Sequence, residues 1–355
     1  MKFDITQSVL EGMLASLQPF LDKKDNTNIL SHILFTIRGD RLLLRASDGE
    51  FGLTVFSTEF SNATEGSFTC NGKKILDIIR ALKDAPVTLQ DDGDNVIVKQ
   101  GRSRYKFQTL DSSSFPEFVE GADLKQIDIK PQQLITGLRK ITPPIDTNSP
   151  KQELKGALVD VRLNTINIVS TDTKRLALFN IDQKSEKASL IILPKKAITE
   201  IQKIFTAEVS IFFDQTNFIM SNENYYFYTR LINGKYPDYE RIIPRDLAYN
   251  FTLDTEKMID ALKQVSAMSV SVKISFASGE ISIEMLEGAG EEASAGFEAE
   301  IEIEKPFTIC VNSKFLLDFL SQCQEASFSI SINEPSMPFI VKSESFSTVV
   351  MPIIL

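Results

Sequence analysis

The 355-residue sequence contains no tryptophan, a single histidine (His32) and three cysteines, Cys70, Cys310 and Cys323. The near absence of histidine removes the commonest general acid–base side chain. His32 lies between apolar stretches and reads as a structural residue. The three cysteines have no metal-ligand spacing and cannot all pair, which points to a reducing, cytoplasmic setting. No apolar run approaches the ~18 residues needed to span a bilayer. Met1-Lys2-Phe3-Asp4 runs into an amphipathic segment with acids at Asp4 and Glu11, unlike a signal peptide. A phosphate-binding Gly-Lys-Ser/Thr loop, a His-Glu-x-x-His pair and a Gly-x-Ser-x-Gly elbow are all missing. Basic charge is also in deficit: the formal net charge is -10, which by itself disfavours a conventional high-affinity nucleic-acid binder.

What is present is ordinary in amount and ordered in arrangement. Hydrophobic residues at 43% and charged residues at 24% suit a globular protein, and the length calls for two or three cores. A faint threefold repeat runs through the chain. Phe3-Asp4-Ile5, Ile127-Asp128-Ile129 and Phe251-Thr252-Leu253 begin 124 positions apart, and each precedes a helix-like apolar pattern. Those patterns hold Leu10, Met13, Leu14 and Leu17; then Leu134, Leu138 and Ile141; then Met258, Ala261, Leu262 and Val265. A second apolar stripe follows Asn71, Pro194 and Asn312, with aligned acids at Asp77, Glu200 and Asp318. Asparagine suits an N-cap, and proline suits a helix start where its missing N–H is not needed.

Strands are expected between the helices. Val87-Thr88-Leu89 and Val96-Ile97-Val98 flank Asp91-Asp92-Gly93-Asp94, a hairpin signal. Leu42–Leu44, Ile166–Ile168 and Ile281–Ile283 occupy matching places. Phe297, Ala299, Ile301 and Ile303 alternate with Glu298, Glu300, Glu302 and Glu304, which predicts a strand with an acidic outer face. The predicted architecture is α+β with three similar domains, 1–121, 122–246 and 247–355, and two helices in each. The boundaries fall near Gly121-Ala122 and Arg245-Asp246. Asp48 and Asp172, 124 apart, could suggest paired acids for metal-assisted hydrolysis. Their equivalent places in the repeat make them turn residues instead. No catalytic residue, metal site or cofactor is expected.

Charge is sorted along the chain. The six helix candidates, roughly 6–22, 71–83, 131–142, 194–206, 255–268 and 312–324, carry twelve basic and seven acidic side chains, leaving -15 on the remainder. Basic helices can attract phosphate without reading sequence. Segment 284–304 holds eight acids and no base, so it is expected on an outer surface away from any polyanion.

Four motifs in order resemble a known family. They are Arg102-Ser103-Arg104-Tyr105-Lys106-Phe107-Gln108-Thr109-Leu110 followed by Phe115-Pro116, Thr171-Asp172-Thr173-Lys174-Arg175-Leu176-Ala177, Leu231-Ile232-Asn233-Gly234-Lys235-Tyr236-Pro237-Asp238-Tyr239, and Val349-Val350-Met351-Pro352-Ile353-Ile354-Leu355. Together they resemble the bacterial DNA sliding clamp, the beta subunit of the replicative DNA polymerase III holoenzyme, over essentially the full chain.

The resemblance implies a non-enzymatic processivity factor: a homodimeric ring, helices lining the hole and sheets outside, around double-stranded DNA. It implies sequence-independent sliding. It also implies partners that carry short linear motifs, namely the polymerase catalytic subunit, the clamp loader and other clamp-motif proteins. The implied partner-peptide groove comprises Leu154, Thr171, Thr173, Lys174, Arg175, Leu176, Pro237, Arg241, Ile242, Asn312, Phe315, Pro338, Val349, Val350, Met351, Pro352, Ile353 and Leu355. The family's DNA contacts match Lys24 and Lys196. Charge on the helices adds Lys73, Lys74, Arg139 and Lys203. Tyr105 and Phe107 mark the apolar face of an open-edged strand that needs a partner, expected at the dimer interface. Thr173 and Lys174 replace the family's Gly-His, and Ile354 replaces its penultimate Arg, so peptide preference is expected to depart from a Gln-Leu-x-Leu-Phe motif.

Overall fold

The computed structural model describes residues 1–25, 28–118, 125–126, 129–206, 208–286 and 291–354. Among the described residues, six α-helices form where the apolar period is that of a helix: α1 (Gln7–Leu17), α2 (Gly72–Ala81), α3 (Pro131–Ile141), α4 (Lys195–Ile204), α5 (Thr255–Ser266) and α6 (Ser313–Leu320). In α1 the buried residues Leu10, Met13, Leu14 and Leu17 follow i, i+3, i+4, i+7 and define one stripe. The helix stops five residues short of the expected end. Gln18–Phe20 tightens into a 3-10 turn around Pro19, which has no N–H to continue the ladder. The expected caps are present. Asn71 accepts the N–H of Lys74 at 3.1 Å, and Asn312 accepts that of Lys314 at 3.0 Å. Pro194 sits immediately before α4.

The chain clusters into two units. The first comprises Met1–Gln132 and Thr199–Leu231, the second Gln133–Ile198 and Ile232–Leu355. The middle third is thus divided, because some of its strands extend a sheet of the first unit and others a sheet of the second. In the first unit a five-stranded antiparallel sheet runs Ser61–Thr64, Lys2–Thr6, Pro86–Asp91, Asn95–Gln100, Ser103–Gln108. An eight-stranded sheet runs Lys125–Gln126, Ser210–Phe213, Asn217–Ser221, Tyr225–Arg230, Phe51–Ser57, Arg41–Ser47, His32–Arg38, Gly66–Asn71. In the second unit the eight-stranded sheet runs Ser189–Pro194, Gly156–Val161, Thr165–Thr171, Arg175–Asp182, Phe346–Val350, Phe339–Ser343, Ser327–Ile332, Tyr249–Asp254. Its four-stranded sheet runs Ser294–Glu298, Glu280–Met285, Ser271–Ala277, Phe307–Asn312. Joining strands of neighbouring repeats pairs edges that would otherwise be open.

With 25 phenylalanines and no tryptophan, the cores are built on phenyl rings. Phe35 stacks on Phe68 at 4.8 Å and Phe20 packs on Phe51 at 4.7 Å in the first unit. Phe276 stacks on Phe307 at 5.0 Å and Phe319 on Phe346 at 5.0 Å in the second. Each fully buried ring contributes on the order of 2–3 kcal/mol relative to exposure.

The acidic segment departs from expectation in one respect. The ladder ends at Glu298. Beyond it, Gly279 takes over as the bonding partner: the N–H of Ala299 donates to its carbonyl, and its own N–H donates to that of Ile301. Alternation persists without a strand, with Ile301 and Ile303 buried and Glu300, Glu302 and Glu304 exposed. Glu287, residues Ile127 and Asp128 of the repeat, and the Gly121-Ala122 boundary lie outside the described residues.

Candidate functional site

Most of the residues expected to form the peptide groove lie in the second unit, where register sorts them onto two faces of one sheet. Thr171 pairs with Leu176, Leu176 with Val349, and Val349 with Ile340, a single row across four strands. The row two residues further along runs Val169, Leu178, Ser347 and Lys342 on the same face, since side chains alternate with period two. Leu176 and Val349 are core members of an apolar cluster with Leu154, Leu158, Val169, Ile192, Tyr236 and Tyr239. Leu178, Ile232, Ile243 and Ile340 pack against it. Around this floor, Ile242 is 40% exposed and Met351 39% exposed. Arg241 is exposed, while Pro237, Pro338, Pro352 and Ile353 are half-buried. Leu355 lies outside the described residues.

Arg175 and Val350 pair with each other and face the other side of the sheet. Val350 is fully buried, so its side chain is core rather than groove lining. Arg175 lies over the Phe315 ring, its guanidinium carbon 4.5 Å from the centroid. Asn312 is occupied as the cap of α6. The expected residues thus divide between the two faces of the sheet, with Leu176 and Val349 on one and Arg175 and Val350 on the other.

The loop at 171–175 is a turn closed by its own side chains. Asp172 Oδ1 accepts the N–H of Lys174 and of Arg175, both at 3.0 Å. Thr171 Oγ1 accepts the N–H of Thr173 at 3.1 Å and donates to the Arg175 carbonyl at 2.7 Å. Asp48 does the same service in the first repeat, accepting from Glu50 and Phe51. Both acids are turn residues. The C-terminal segment is tied to the loop by the Met351 N–H, which donates to the Lys174 carbonyl at 2.9 Å.

The segment carrying Pro237, Arg241 and Ile242 is anchored by a buried polar network. The Tyr239 hydroxyl donates to Asp160 Oδ2 at 2.6 Å and accepts from Asn167 Nδ2 and Arg162 Nη2, each at 2.9 Å. Arg162 also bonds Asp160 at 2.8 Å and Glu240 at 2.6 Å. Burial drives the Tyr239 hydroxyl well above its ordinary range, and the bond to Asp160 holds the Arg162 guanidinium firmly charged. Tyr236, Tyr239, Asp160, Arg162, Leu178, Ile243 and Ile340 were missed by sequence reasoning. The two tyrosines sit inside a recognised motif. Asp160 and Arg162 alternate with valines, which is the available sign of a charge pair on a buried strand.

The residues expected at DNA are all exposed. Lys73 and Lys74 open α2, Arg139 lies near the end of α3, and Lys196 and Lys203 lie on α4. Lys24 lies on a loop and its N–H donates to Asp22 at 2.8 Å. The six helices carry eleven basic and six acidic residues, a surplus of five within a chain of net charge -10. Ser103–Gln108 is the outermost strand of its sheet, with Tyr105 and Phe107 half-buried and Arg104 and Lys106 exposed. His32 is buried with Nδ1 3.2 Å from Thr69 Oγ1, a structural role. Among the described residues, no group of three or more His, Cys, Asp or Glu side chains could hold a metal ion, and no helix is long and apolar enough to cross a membrane.

Comparison with known proteins agrees along the whole chain. Residues 1–119, 128–238 and 240–354 match the N-terminal, central and C-terminal domains of the DNA polymerase III beta subunit. The beta sliding clamp of Helicobacter pylori strain J99 is 35% identical over 374 residues, covering all of both chains. The crystal structure of the H. pylori beta clamp bound to a DNA ligase peptide is 37% identical, covers all of both chains and superposes with a TM-score of 0.96. The beta sliding clamp of Pseudomonas putida is 26% identical over 99% of each chain. The chain therefore belongs to the DNA polymerase III beta subunit family, the bacterial sliding clamps, which are processivity factors and not enzymes.

Proposed function

We propose that the row Thr171, Leu176, Val349 and Ile340, flanked by Ile242 and Met351, is the groove through which this clamp tethers its partners. This observation carries the site assignment: three sequence-distant segments converge on one apolar floor with polar loop groups at its rim, as a short peptide requires. The H. pylori relative binds a DNA ligase peptide. Here the polymerase catalytic subunit, the clamp loader and other proteins bearing clamp motifs compete for one groove per subunit.

The clamp encircles duplex DNA as a homodimer. Arg104 and Lys106 stand on one outermost strand, Ser103–Gln108, with Arg102 in the turn just before it, while Glu298, Glu300, Glu302 and Glu304 stand on and just beyond another, Ser294–Glu298. Opposite charges on two open sheet edges suit a head-to-tail joint that pairs each edge and closes under twofold symmetry. Tyr105 and Phe107 supply its apolar contacts. Lys24, Lys73, Lys74, Arg139, Lys196 and Lys203 hold the phosphates weakly and without base contacts, which permits sliding. The three domains divide near 121–122 and 245–246, and the protein works in the cytoplasm. Retention on closed circular duplex after loading by the clamp loader, with release when the circle is cut, is the expected behaviour. Equal retention on linear DNA would reject topological binding.

A further inference from the structure

The turn at 171–175 is strained. Thr173 has φ of +70°, a region that a β-branched side chain rarely enters and that costs on the order of 1–2 kcal/mol. The bonds from Asp172 and Thr171 define the turn, but they do not fasten it to the rest of the unit. Such a conformation persists only where its surroundings over-determine it.

The fastening is the Arg175 side chain, which is 5% exposed. Its Nε donates to Asp172 Oδ2 at 3.1 Å, its Nη1 to Asp318 Oδ2 at 2.6 Å and its Nη2 to the Pro143 carbonyl at 3.3 Å. Phe315, which carries the ring beneath the guanidinium, lies one turn before Asp318 on α6, so a single helix face presents both an anion and an aromatic surface. From Arg175 the connection continues through the turn to the Lys174 carbonyl, and from there to the Met351 N–H. An acid recurs at this place in each repeat. Glu200 bonds Lys203 on its own helix and Asp77 is exposed. Asp318 alone of the three reaches a different repeat.

We infer that Asp318 is a positioning residue for the partner groove: by holding Arg175 it fixes the strained turn at 171–175, and through Lys174 it sets where Met351 meets an incoming peptide. The inference rests on the groove assignment above. Asp318 lies beneath the sheet face that faces away from the groove floor, so its effect on a peptide passes through the turn rather than by contact. A buried guanidinium that loses one carboxylate is left under-paired, and the turn then samples alternatives from which a peptide must reselect the competent form.

The test uses the full-length dimer, a fluorescein-labelled peptide from the clamp-binding segment of the cognate polymerase catalytic subunit, and the variants Asp318→Asn and Asp318→Glu. Asp318→Asn is expected to weaken the peptide about tenfold, within the usual range of coupling between sites. It should also raise hydrogen exchange at the Met351 amide while leaving the dimer intact in sedimentation. Asp318→Glu should restore affinity to within about threefold of the parent. Unchanged affinity in Asp318→Asn would overturn the inference, as would weaker binding with Met351 protection unaltered, or a glutamate no better than asparagine. Ile242→Asp at the groove rim separates the two readings. If it abolishes binding while Asp318→Asn leaves affinity unchanged, the groove stands and the positioning role falls. If it binds as the parent does, the groove assignment itself falls and the inference with it.

Discussion

Replacing Tyr239 with phenylalanine removes one oxygen from the buried end of a polar network, and its cost can be worked out bond by bond. The hydroxyl donates to the Asp160 carboxylate at 2.6 Å, and Tyr239 and Asp160 are each 5% exposed. A hydrogen bond to a charged group contributes about 1.5–3 kcal/mol. Asp160 keeps Arg162 as a partner, which moderates the loss. Asn167 is less fortunate. Its Oδ1 still accepts from Asn180, but its Nδ2 donates to the Tyr239 hydroxyl, and stranding a buried donor costs about 1–3 kcal/mol. These losses share one network and are not additive, so Tyr239→Phe is expected to destabilise by about 2–4 kcal/mol. Tyr236→Phe is the internal control. Its hydroxyl makes one long bond, to the Val169 carbonyl at 3.5 Å, and meets the backbone at Thr171, both uncharged partners, so its loss should cost about 1 kcal/mol or less. The assay is urea unfolding followed by far-ultraviolet circular dichroism, since the chain has no tryptophan to report by fluorescence. Because Tyr239 anchors the segment carrying Arg241 and Ile242, peptide affinity should fall as well. Equal costs for the two tyrosines, or a Tyr239→Phe cost below about 0.5 kcal/mol, would refute the reasoning.

Four further outcomes are expected. Thr173→Gly should stabilise the protein by about 0.5–1 kcal/mol in urea unfolding, the strain released at φ +70° exceeding the extra freedom of glycine in the unfolded chain; a loss of stability would show that the Thr173 side chain makes a compensating contact. Burial, and then the charge of Lys74, lowers the His32 pKa from 6.5 to about 4, so the unfolded chain takes up a proton between these values and the folded chain does not. Stability should therefore fall as pH drops from 6.5 towards 4, by up to about 3 kcal/mol, and His32→Asn should lack that part of the slope. Tyr105→Asp with Phe107→Asp should yield monomers in sedimentation, and an unaltered dimer would move the joint to other strands. Deleting Met351 to Leu355 should abolish binding of a polymerase-derived peptide with the dimer intact, whereas Met351→Ala, at a partly exposed position, should cost about 1 kcal/mol by calorimetry.

Sequence alone determined much of this protein. The apolar period of Leu10, Met13, Leu14 and Leu17, the caps at Asn71 and Asn312, and the alternation around Ile281 and Ile283 are local signals. Backbone hydrogen bonding and side-chain period act over a few residues, so such signals appear wherever the segment sits. The repeat and the four motifs then led to the family. What only the tertiary structure decided was direction and long-range pairing. Leu176 and Arg175 are neighbours in sequence, yet one lies on the face proposed as the groove floor and the other on the opposite face of the sheet. Only the pairing of Arg175–Asp182 with Phe346–Val350 shows that Val349 shares the face of Leu176 and Val350 that of Arg175. Likewise Asp160 and Tyr239 are 79 positions apart, as are no two residues that a local pattern can relate. A strand's two faces are equivalent to its own backbone, and which of them becomes a site is settled by the distant segments that pack against it.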